Sequence, residues 1–306
     1  MNSPVPDAQS QRQKSGYAYA VAAYLFWGFA PIYFVYVSFA QPLEVLAHRV
    51  VWSVPLVALL ITFARQWPML RRMSGKTYLM LAVCSVLLTA NWLTFIYAVQ
   101  TGRIVETSLG YFINPLVSIL LGWTFLSERL RRWQWAAVAM AAAGVIGELV
   151  TAGELPWLGL VLAFSFGFYG LLRKQLALPS SVGLGVETVM VVPFAIAYLV
   201  YMGSSADMPV RSMNEILLLG LGGFVTVLPL LWFASATIRI PLTTLGFFQY
   251  LAPSISLMLG VFVFGEVVTA GRWFGLSLIW FALLMFSLEN LYHRRVQSRA
   301  QLDNNT

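Results

Sequence analysis

The sequence predicts an all-α membrane protein with ten transmembrane helices in two inverted five-helix repeats. Three observations lead to this fold class. The 306-residue chain is 59% hydrophobic and only 10% charged, which is unlike an ordinary soluble domain. Its apolar runs are about 20 residues long, the length that a helix needs to cross a bilayer. Patterns from the first half of the chain also recur in the second half, as expected after a duplication.

Ten apolar runs follow one another with short connections, so the chain has no room for a soluble domain. We expect polar tails at residues 1–16 and 293–306, and repeats at residues 17–151 and 155–292. The runs cover approximately residues 17–37, 43–64, 77–99, 104–125, 133–151, 155–172, 182–202, 213–235, 242–264 and 271–291.

Two patterns carry the internal repeat. Residues 103–112 read Arg-Ile-Val-Glu-Thr-Ser-Leu-Gly-Tyr-Phe, and residues 239–248 read Arg-Ile-Pro-Leu-Thr-Thr-Leu-Gly-Phe-Phe. Downstream of each, the pattern Pro-x-x-Ser-x-x-x-Gly-x-x-x-x-x-Glu follows and ends at Glu128 or Glu266. Charged and helix-bending residues recur in order, which favours duplication over chance convergence of apolar helices. We expect both glutamates to anchor the turns that follow them.

The positive charges predict the orientation. With the N-terminus in the cytoplasm, fifteen Lys and Arg residues fall on the inner side, and only Arg103, Arg211 and Arg272 fall on the outer side. Cytoplasmic loops are enriched in Lys and Arg, so we expect both termini in the cytoplasm. Because five spans are an odd number, the second repeat crosses in the opposite sense, which places a site near the midplane between the repeats. The membrane topology thus explains the net charge of +7, and the charge does not indicate nucleic-acid binding.

The residue inventory bounds the chemistry. The single cysteine, Cys84, excludes a disulfide or a Cys-ligated metal site within one chain. The sequence has no nucleotide-binding motif and no His-Glu-x-x-His pattern. We therefore expect no cofactor and no metal. The expected partners are a small-molecule solute and the lipid bilayer, and a homodimer is left open.

Two prolines are predicted to bend helices at equivalent depth. Pro115 lies near the middle of span four, and Pro253 lies near the middle of span nine. Proline removes a backbone donor and clashes with the preceding turn, which frees the carbonyls of Tyr111 and Gln249. The two bends either line a wet pathway or are packing kinks without ligand contact.

Polar and aromatic residues inside the spans are the candidate solute contacts, because charges and unpaired amides are expensive in a bilayer. Arg49 either holds a substrate carboxylate or pairs with Glu44 or Glu106. Asn91 either contacts the solute or bonds a neighbouring helix. The full set of candidates is Trp27, Arg49, Asn91, Tyr111, Asn114, Gln249 and Tyr250.

Glu44, His48 and Glu106 are the candidates for a proton or charge relay. Glu44 and His48 are four residues apart and share a helix face. Histidine titrates near neutral pH, so this pair is suited to handling protons. Glu106 lies near the outer interface, where it is either a functional acid or part of an exposed helix start. We interpret Glu187 as structural.

Several segments together resemble the EamA-domain branch of the drug/metabolite transporter superfamily, and most closely the RarD permeases. The segments are Glu44-Val-Leu-Ala-His-Arg49, Asn91-Trp92, Ser108-Leu-Gly-Tyr-Phe-Ile-Asn-Pro115, Glu128-Arg-Leu130, Gly170-Leu-Leu-Arg-Lys174, Glu187-Thr188 and Gln249-Tyr-Leu-Ala-Pro253. The resemblance implies ten helices in two inverted EamA repeats and a bacterial inner-membrane permease. Relatives export metabolites, amino acids or drugs, and the RarD group is associated by name with chloramphenicol sensitivity. The resemblance assigns no catalytic residue.

The sequence therefore predicts a secondary-active transporter that exports small metabolites or drug-like solutes by alternating access between its two repeats. Two other classes are open. An intramembrane enzyme would need a nucleophile with a base, or a metal cluster. A non-transporting membrane scaffold or sensor would make little use of a duplicated fold with central polar residues.

Overall fold

The computed structural model is a bundle of α-helices and describes residues 8–101, 104–152, 157–204, 211–263 and 270–303. No strand occurs among these residues. The helices are α1 (Ala8–Tyr36), α2 (Pro42–Phe63), α3 (Trp67–Arg71), α4 (Gly75–Gln100), α5 (Ile104–Phe125), α6 (Arg132–Ala152), α7 (Trp157–Leu176), α8 (Ser180–Gly203), α9 (Met213–Thr237), α10 (Leu242–Gln249), α11 (Leu251–Phe262) and α12 (Ala270–Asp303).

Six segments in the described part of the chain are long and apolar enough to cross a membrane. Two shorter apolar segments, Gly110–Phe125 and Trp273–Glu289, accompany them. The composition and the helices together make this an all-helical, multi-pass membrane protein. The six segments are Ser10–Tyr36, Pro42–Phe63, Gly75–Ala98, Ser180–Gly203, Met213–Thr237 and Leu242–Leu259.

The helices extend into both predicted tails. The described part of helix α1 starts at Ala8, and its first turns contact the connection between α9 and α10. There the Arg12 guanidinium donates to the Ile238 carbonyl at 3.1 Å, and Gly16 packs against Arg239. Helix α12 continues to Asp303, since no proline or glycine follows Gly275 to end it.

The two central prolines affect their helices differently. Helix α5 runs unbroken through Pro115. The ninth apolar run is instead divided at Tyr250, and Pro253 lies in the first turn of α11. A proline fits there because the first turn of a helix has backbone donors without intrahelical partners.

Helices from the two halves of the sequence interleave throughout the bundle. Helix α2 packs on α8, α5 on α10, and α6 on α12, while α1 contacts α9 and α11, and α7 contacts α4 and α5. Glycines permit two of these crossings. A Cβ at Gly28 would lie 2.7 Å from Ile255 on α11, and a Cβ at Gly167 would lie 2.7 Å from Val117 on α5.

Candidate functional site

A small cavity lies between α2, α4, α8 and α9, so that each half of the sequence contributes two helices. Its volume is about 50 Å³. Binding sites for drug-sized ligands are ~300 Å³ or larger, so this conformation is nearly closed around the cavity. The lining residues are Leu46, Arg49, Val50, Ser53, Ser85, Leu88, Thr89, Trp92, Leu184, Glu187, Thr188, Val191, Thr226 and Leu230.

Arg49 is the central polar residue of this cavity. It is only 1% exposed. Its Nε donates to Thr226 Oγ1 at 2.8 Å, and that hydroxyl donates in turn to the Gly222 carbonyl at 2.7 Å. The guanidinium carbon lies 3.4 Å from the centroid of the Trp92 ring. The Nη1 and Nη2 atoms are buried and have no hydrogen-bond partner in the described part of the protein.

Glycine makes room for this arginine. A Cβ at Gly222 would lie 2.6 Å from Arg49 Cγ and 2.6 Å from Tyr33 Oη. At the next position, a Cβ at Gly223 would lie 2.6 Å from the Trp52 backbone. Helices α2 and α9 can therefore approach closely enough for the arginine to reach across to α9.

The predicted partner Glu44 is not paired with Arg49. Glu44 is 1% exposed, and its two carboxylate oxygens accept from Arg211 Nε at 3.0 Å and Nη2 at 2.8 Å. Hydrogen bonding to Glu44 raises the pKa of Arg211. The side chain of the other predicted partner, Glu106, lies outside the described residues. His48 is half-buried and within electrostatic range of Glu44 and Arg211.

A second charged pair borders the same cavity. Arg173 Nη1 lies 3.4 Å from Glu187 Oε1, and Tyr169 Oη donates to Glu187 Oε2 at 3.2 Å. Arg173 and Glu187 are each 2% exposed. Arg173, which the charge count placed on the inner side, is therefore buried. Gly183 is required here, because a Cβ at that position would overlap Arg173 Nη1.

Asn91 makes the helix–helix bond that was one of its two interpretations. Its Nδ2 donates to the Leu162 carbonyl at 2.9 Å and to Ser165 Oγ at 2.9 Å. Both acceptors are on α7. The amide thus ties α4 to α7, and Asn91 is not among the residues that line the cavity.

The candidates on α5, α10 and α11 lie at the contact between these helices. Gln249 Nε2 donates to Ser118 Oγ at 2.9 Å. The Tyr250 ring stacks on Phe112 with centroids 6.4 Å apart. Tyr250 Oη and Asn114 Oδ1 are buried without a hydrogen-bond partner in the described region. These side chains lie outside the cavity of Arg49.

The two aromatic candidates differ in their relation to Arg49. Tyr111 is close enough to interact electrostatically with the guanidinium, and its ring contacts Phe95 at 5.8 Å. Trp27 instead packs in an aromatic cluster with Phe166 at 5.6 Å and Phe233 at 5.9 Å.

Glu128 has a role that sequence reasoning missed. Rather than anchoring only its own turn, its Oε1 accepts from the Leu242 amide at 2.7 Å and its Oε2 from the Thr243 amide at 2.8 Å. Lys174 Nζ lies 3.4 Å from Oε1. Glu128 thereby caps α10, whose own N-cap residue, Pro241, offers no side-chain hydrogen bond. Its counterpart Glu266 lies outside the described residues.

Trp92 and Thr226 contact Arg49 in the cavity but were not among the candidates selected from the sequence, and Glu187, which the sequence analysis interpreted as structural, also lines the cavity. A lone threonine within the apolar run 213–235 was the available signal for Thr226, and Trp92 adjoins the selected Asn91. No group of three or more His, Cys, Asp or Glu residues that could hold a metal occurs within the described ranges.

A broader depression of about 340 Å³ lies at the end of the bundle where α2 and α7 begin. It is mostly apolar. On α4 its lining includes Leu93 and Thr94, which directly follow Trp92 of the cavity. The lining residues are Gln41, Pro42, Leu43, Leu93, Thr94, Tyr97, Trp157 and Leu158.

Comparisons with known proteins agree with this architecture. Residues 14–149 match the EamA-like transporter family. An uncharacterized transporter of Vibrio cholerae is 43% identical over 303 residues, covering 97% of this chain and 99% of that protein. The protein RarD of Escherichia coli K12 is 43% identical over 297 residues, covering 96% of this chain and 100% of that protein.

A solved crystal structure is similar to this chain in fold. It has a TM-score of 0.70 and 17% sequence identity, and the match covers 92% of this chain and 99% of that chain. The relatives show more than a shared fold, because their sequences are 43% identical to this chain over 96–97% of its length. The chain is therefore a membrane transporter that belongs to the EamA-like transporter family, within its RarD group.

Proposed function

We propose that the protein is a secondary-active permease that exports small metabolites or drug-like solutes from the cytoplasm. In this proposal it works by alternating access at the cavity between α2, α4, α8 and α9. The observation that carries the proposal is the buried Arg49 in a cavity to which both halves of the chain contribute. An ionisable group within a membrane bundle that faces a cavity is typical of a solute pathway.

The packing supports ten spans arranged as two inverted repeats. Ten spans result if α3 is a connection and α10 and α11 form one span. Exchanging the halves then maps the contact of α1 with α9 onto that of α7 with α4. It also maps the glycine contact of Gly28 onto that of Gly167, while α2–α8, α5–α10 and α6–α12 each map onto themselves.

The ends of the helices support the inversion. The start of α1 lies beside the end of α9, where Arg12 reaches Ile238. The start of α7 lies at the opposite end of the bundle, where Trp157 shares a depression with Gln41 and Tyr97. Given the excess of Lys and Arg at the end that holds the N-terminus, we place both termini in the cytoplasm and the protein in the bacterial inner membrane.

The closed cavity is consistent with an occluded state of a transporter, between a state open to the cytoplasm and a state open to the outside. A volume of about 50 Å³ is too small for a metabolite, so a solute would enter only when the halves separate on one side. The depression beside Leu93 and Thr94 lies next to the cavity along α4 and is the proposed outer vestibule. Glu44 and His48 remain candidates for proton handling, with Glu44 held by Arg211 in this conformation.

Transport is tested by comparing metabolites inside and outside cells that overproduce or lack the protein. A transported solute should accumulate outside the overproducing cells, and Arg49→Ala should abolish this accumulation. Arg71→Ala, on the exposed helix α3, is the matched control and should behave as wild type. Normal export by Arg49→Ala would refute the site assignment.

The inverted arrangement is tested by cysteine accessibility. In a Cys84→Ser background, cysteines introduced at positions 103 and 239 should react with an impermeant maleimide from opposite sides of the membrane. Labelling of both positions from the same side would refute the arrangement.

A further inference from the structure

We propose that Arg49 binds the carboxylate of a solute that is a singly charged organic anion with an apolar body. This inference rests on the site proposed for transport and specifies the class of its substrate. Three features of the cavity carry it: the free edge of the guanidinium, the balance of buried charge, and the apolar lining.

The hydrogen bonding of Arg49 leaves one edge of its guanidinium open. On the side edge, Nε donates to Thr226 Oγ1 at 2.8 Å. Trp92 covers one face at 3.4 Å. The end edge, formed by Nη1 and Nη2, is buried and has no partner in the described structure. Two parallel N–H donors in one plane match the two oxygens of a carboxylate.

The charges around the cavity favour an anion. Glu187 also borders the cavity, but its negative charge is balanced by Arg173 at 3.4 Å. Arg49 has no acidic partner among the residues that the structure describes. Arginine stays protonated in proteins, so the described lining carries one uncompensated positive charge. A single carboxylate neutralises it, whereas a cation would add a second unpaired charge.

The remaining lining selects the body of the solute. Apart from the charged residues, the cavity is formed by aliphatic side chains, the Trp92 ring and a few hydroxyls. Three of these hydroxyls are already engaged, since Ser53 donates to the Arg49 carbonyl at 2.6 Å, Ser85 to the Leu81 carbonyl at 2.9 Å and Thr226 to the Gly222 carbonyl at 2.7 Å. An apolar or aromatic body therefore suits the site better than one with many polar groups.

The test measures binding to the full-length protein in nanodiscs by titrating tryptophan fluorescence. The probes are benzoate, phenylacetate and 3-phenylpropanoate, each compared with its neutral amide, together with 3-phenylpropylammonium and inorganic phosphate. We expect the wild type to bind at least one carboxylate about tenfold or more tightly than its amide, which corresponds to about 1.4 kcal/mol. The ammonium probe and phosphate should bind more weakly than that carboxylate.

Variants of Arg49 test whether this residue binds the carboxylate of the solute. Arg49→Gln should bind the carboxylate and its amide equally, and Arg71→Gln should keep the wild-type preference. Arg49→Lys is the second variant, for use if Arg49→Gln does not fold. It retains the charge but loses the planar guanidinium, so its preference for the carboxylate over the amide should fall several-fold. Equal binding of carboxylate and amide by the wild type, tighter binding of phosphate, or an unchanged preference in either Arg49 variant would overturn the proposal.

The outcome can be separated from that of the proposed function. Export of only neutral or cationic solutes, unaffected by Arg49→Gln, would overturn the anion site and leave transport standing. Carboxylate binding that depends on Arg49, with no solute flux in reconstituted vesicles, would support the anion site and refute the transport cycle.

Discussion

Glu128 links the two halves of the chain, and replacing it with glutamine should loosen that link. Its carboxylate accepts from the Leu242 and Thr243 amides at 2.7 and 2.8 Å and lies 3.4 Å from Lys174. Glutamine keeps one acceptor oxygen and replaces the other with an NH₂ group. One amide at the start of α10 therefore loses its partner, and Lys174 loses its counter-charge.

The magnitude follows from these contacts. A hydrogen bond to a charged group contributes ~1.5–3 kcal/mol, and the ion pair is mostly sheltered, with 13% of the Glu128 side chain exposed. We expect Glu128→Gln to lower the free energy of unfolding by ~3 kcal/mol. The measurement is an SDS unfolding titration in mixed micelles, followed by circular dichroism.

Glu215 offers a matched control. Its carboxylate also accepts a backbone amide at a helix start, from Ser212 at 2.7 Å, but within a single helix end. Glu215→Gln should cost much less stability than Glu128→Gln, because glutamine also serves at this position of a capping box. In a Cys84→Ser background, cysteine at position 243 should react faster with maleimide in Glu128→Gln than in Glu215→Gln. Equal losses of stability and equal labelling rates in the two variants would refute the reasoning.

Two further predictions concern packing and charge pairing. Gly110→Ala should destabilise the protein by ~1–3 kcal/mol, because the new Cβ would lie 2.6 Å from the backbone of Gly159. At Gly147, a new Cβ would meet no described atom within 4 Å, so Gly147→Ala should instead stabilise α6 by ~0.5–1 kcal/mol in the same SDS titration. Glu44→Gln should lower stability by ~1.5–3 kcal/mol, since Arg211 loses the carboxylate that accepts from its Nε and Nη2 and keeps only Glu215 at 3.7 Å. Exchanging the charges in Glu44→Arg/Arg211→Glu should recover much of this loss, and a double-mutant cycle without coupling would contradict the pairing.

The fold was largely predictable from the sequence because membrane thickness limits the length of each apolar run. The run 104–125 coincides with α5, and the run 43–64 differs from α2 by one residue at each end. The division at Tyr250 and the extension of α1 to Ala8 were not predictable. They depend on contacts such as that of Arg12 with Ile238, which is 226 positions away.

The candidate site was predictable only in part. Arg49 was a candidate because it is a charged residue within an apolar run, and a charge in a membrane span is costly unless it faces the interior of the bundle. Hydropathy does not show how a uniformly apolar helix is rotated about its axis, so the sequence did not reveal that Arg49 meets Thr226 and Trp92. For the same reason it did not reveal that Glu44 pairs with Arg211, which the charge count assigned to an outer loop.

The isolated guanidinium of Arg49 also has an electrical consequence. A unit charge that crosses the whole membrane field gains or loses ~2.3 kcal/mol per 100 mV. In the proposed transport cycle, the empty protein has an unbalanced positive charge at this position, whereas the protein loaded with a monoanion is neutral there. Membrane voltage should therefore act on the reset of the empty protein rather than on the loaded step, so that polarising vesicles alters the turnover rate more than the apparent affinity.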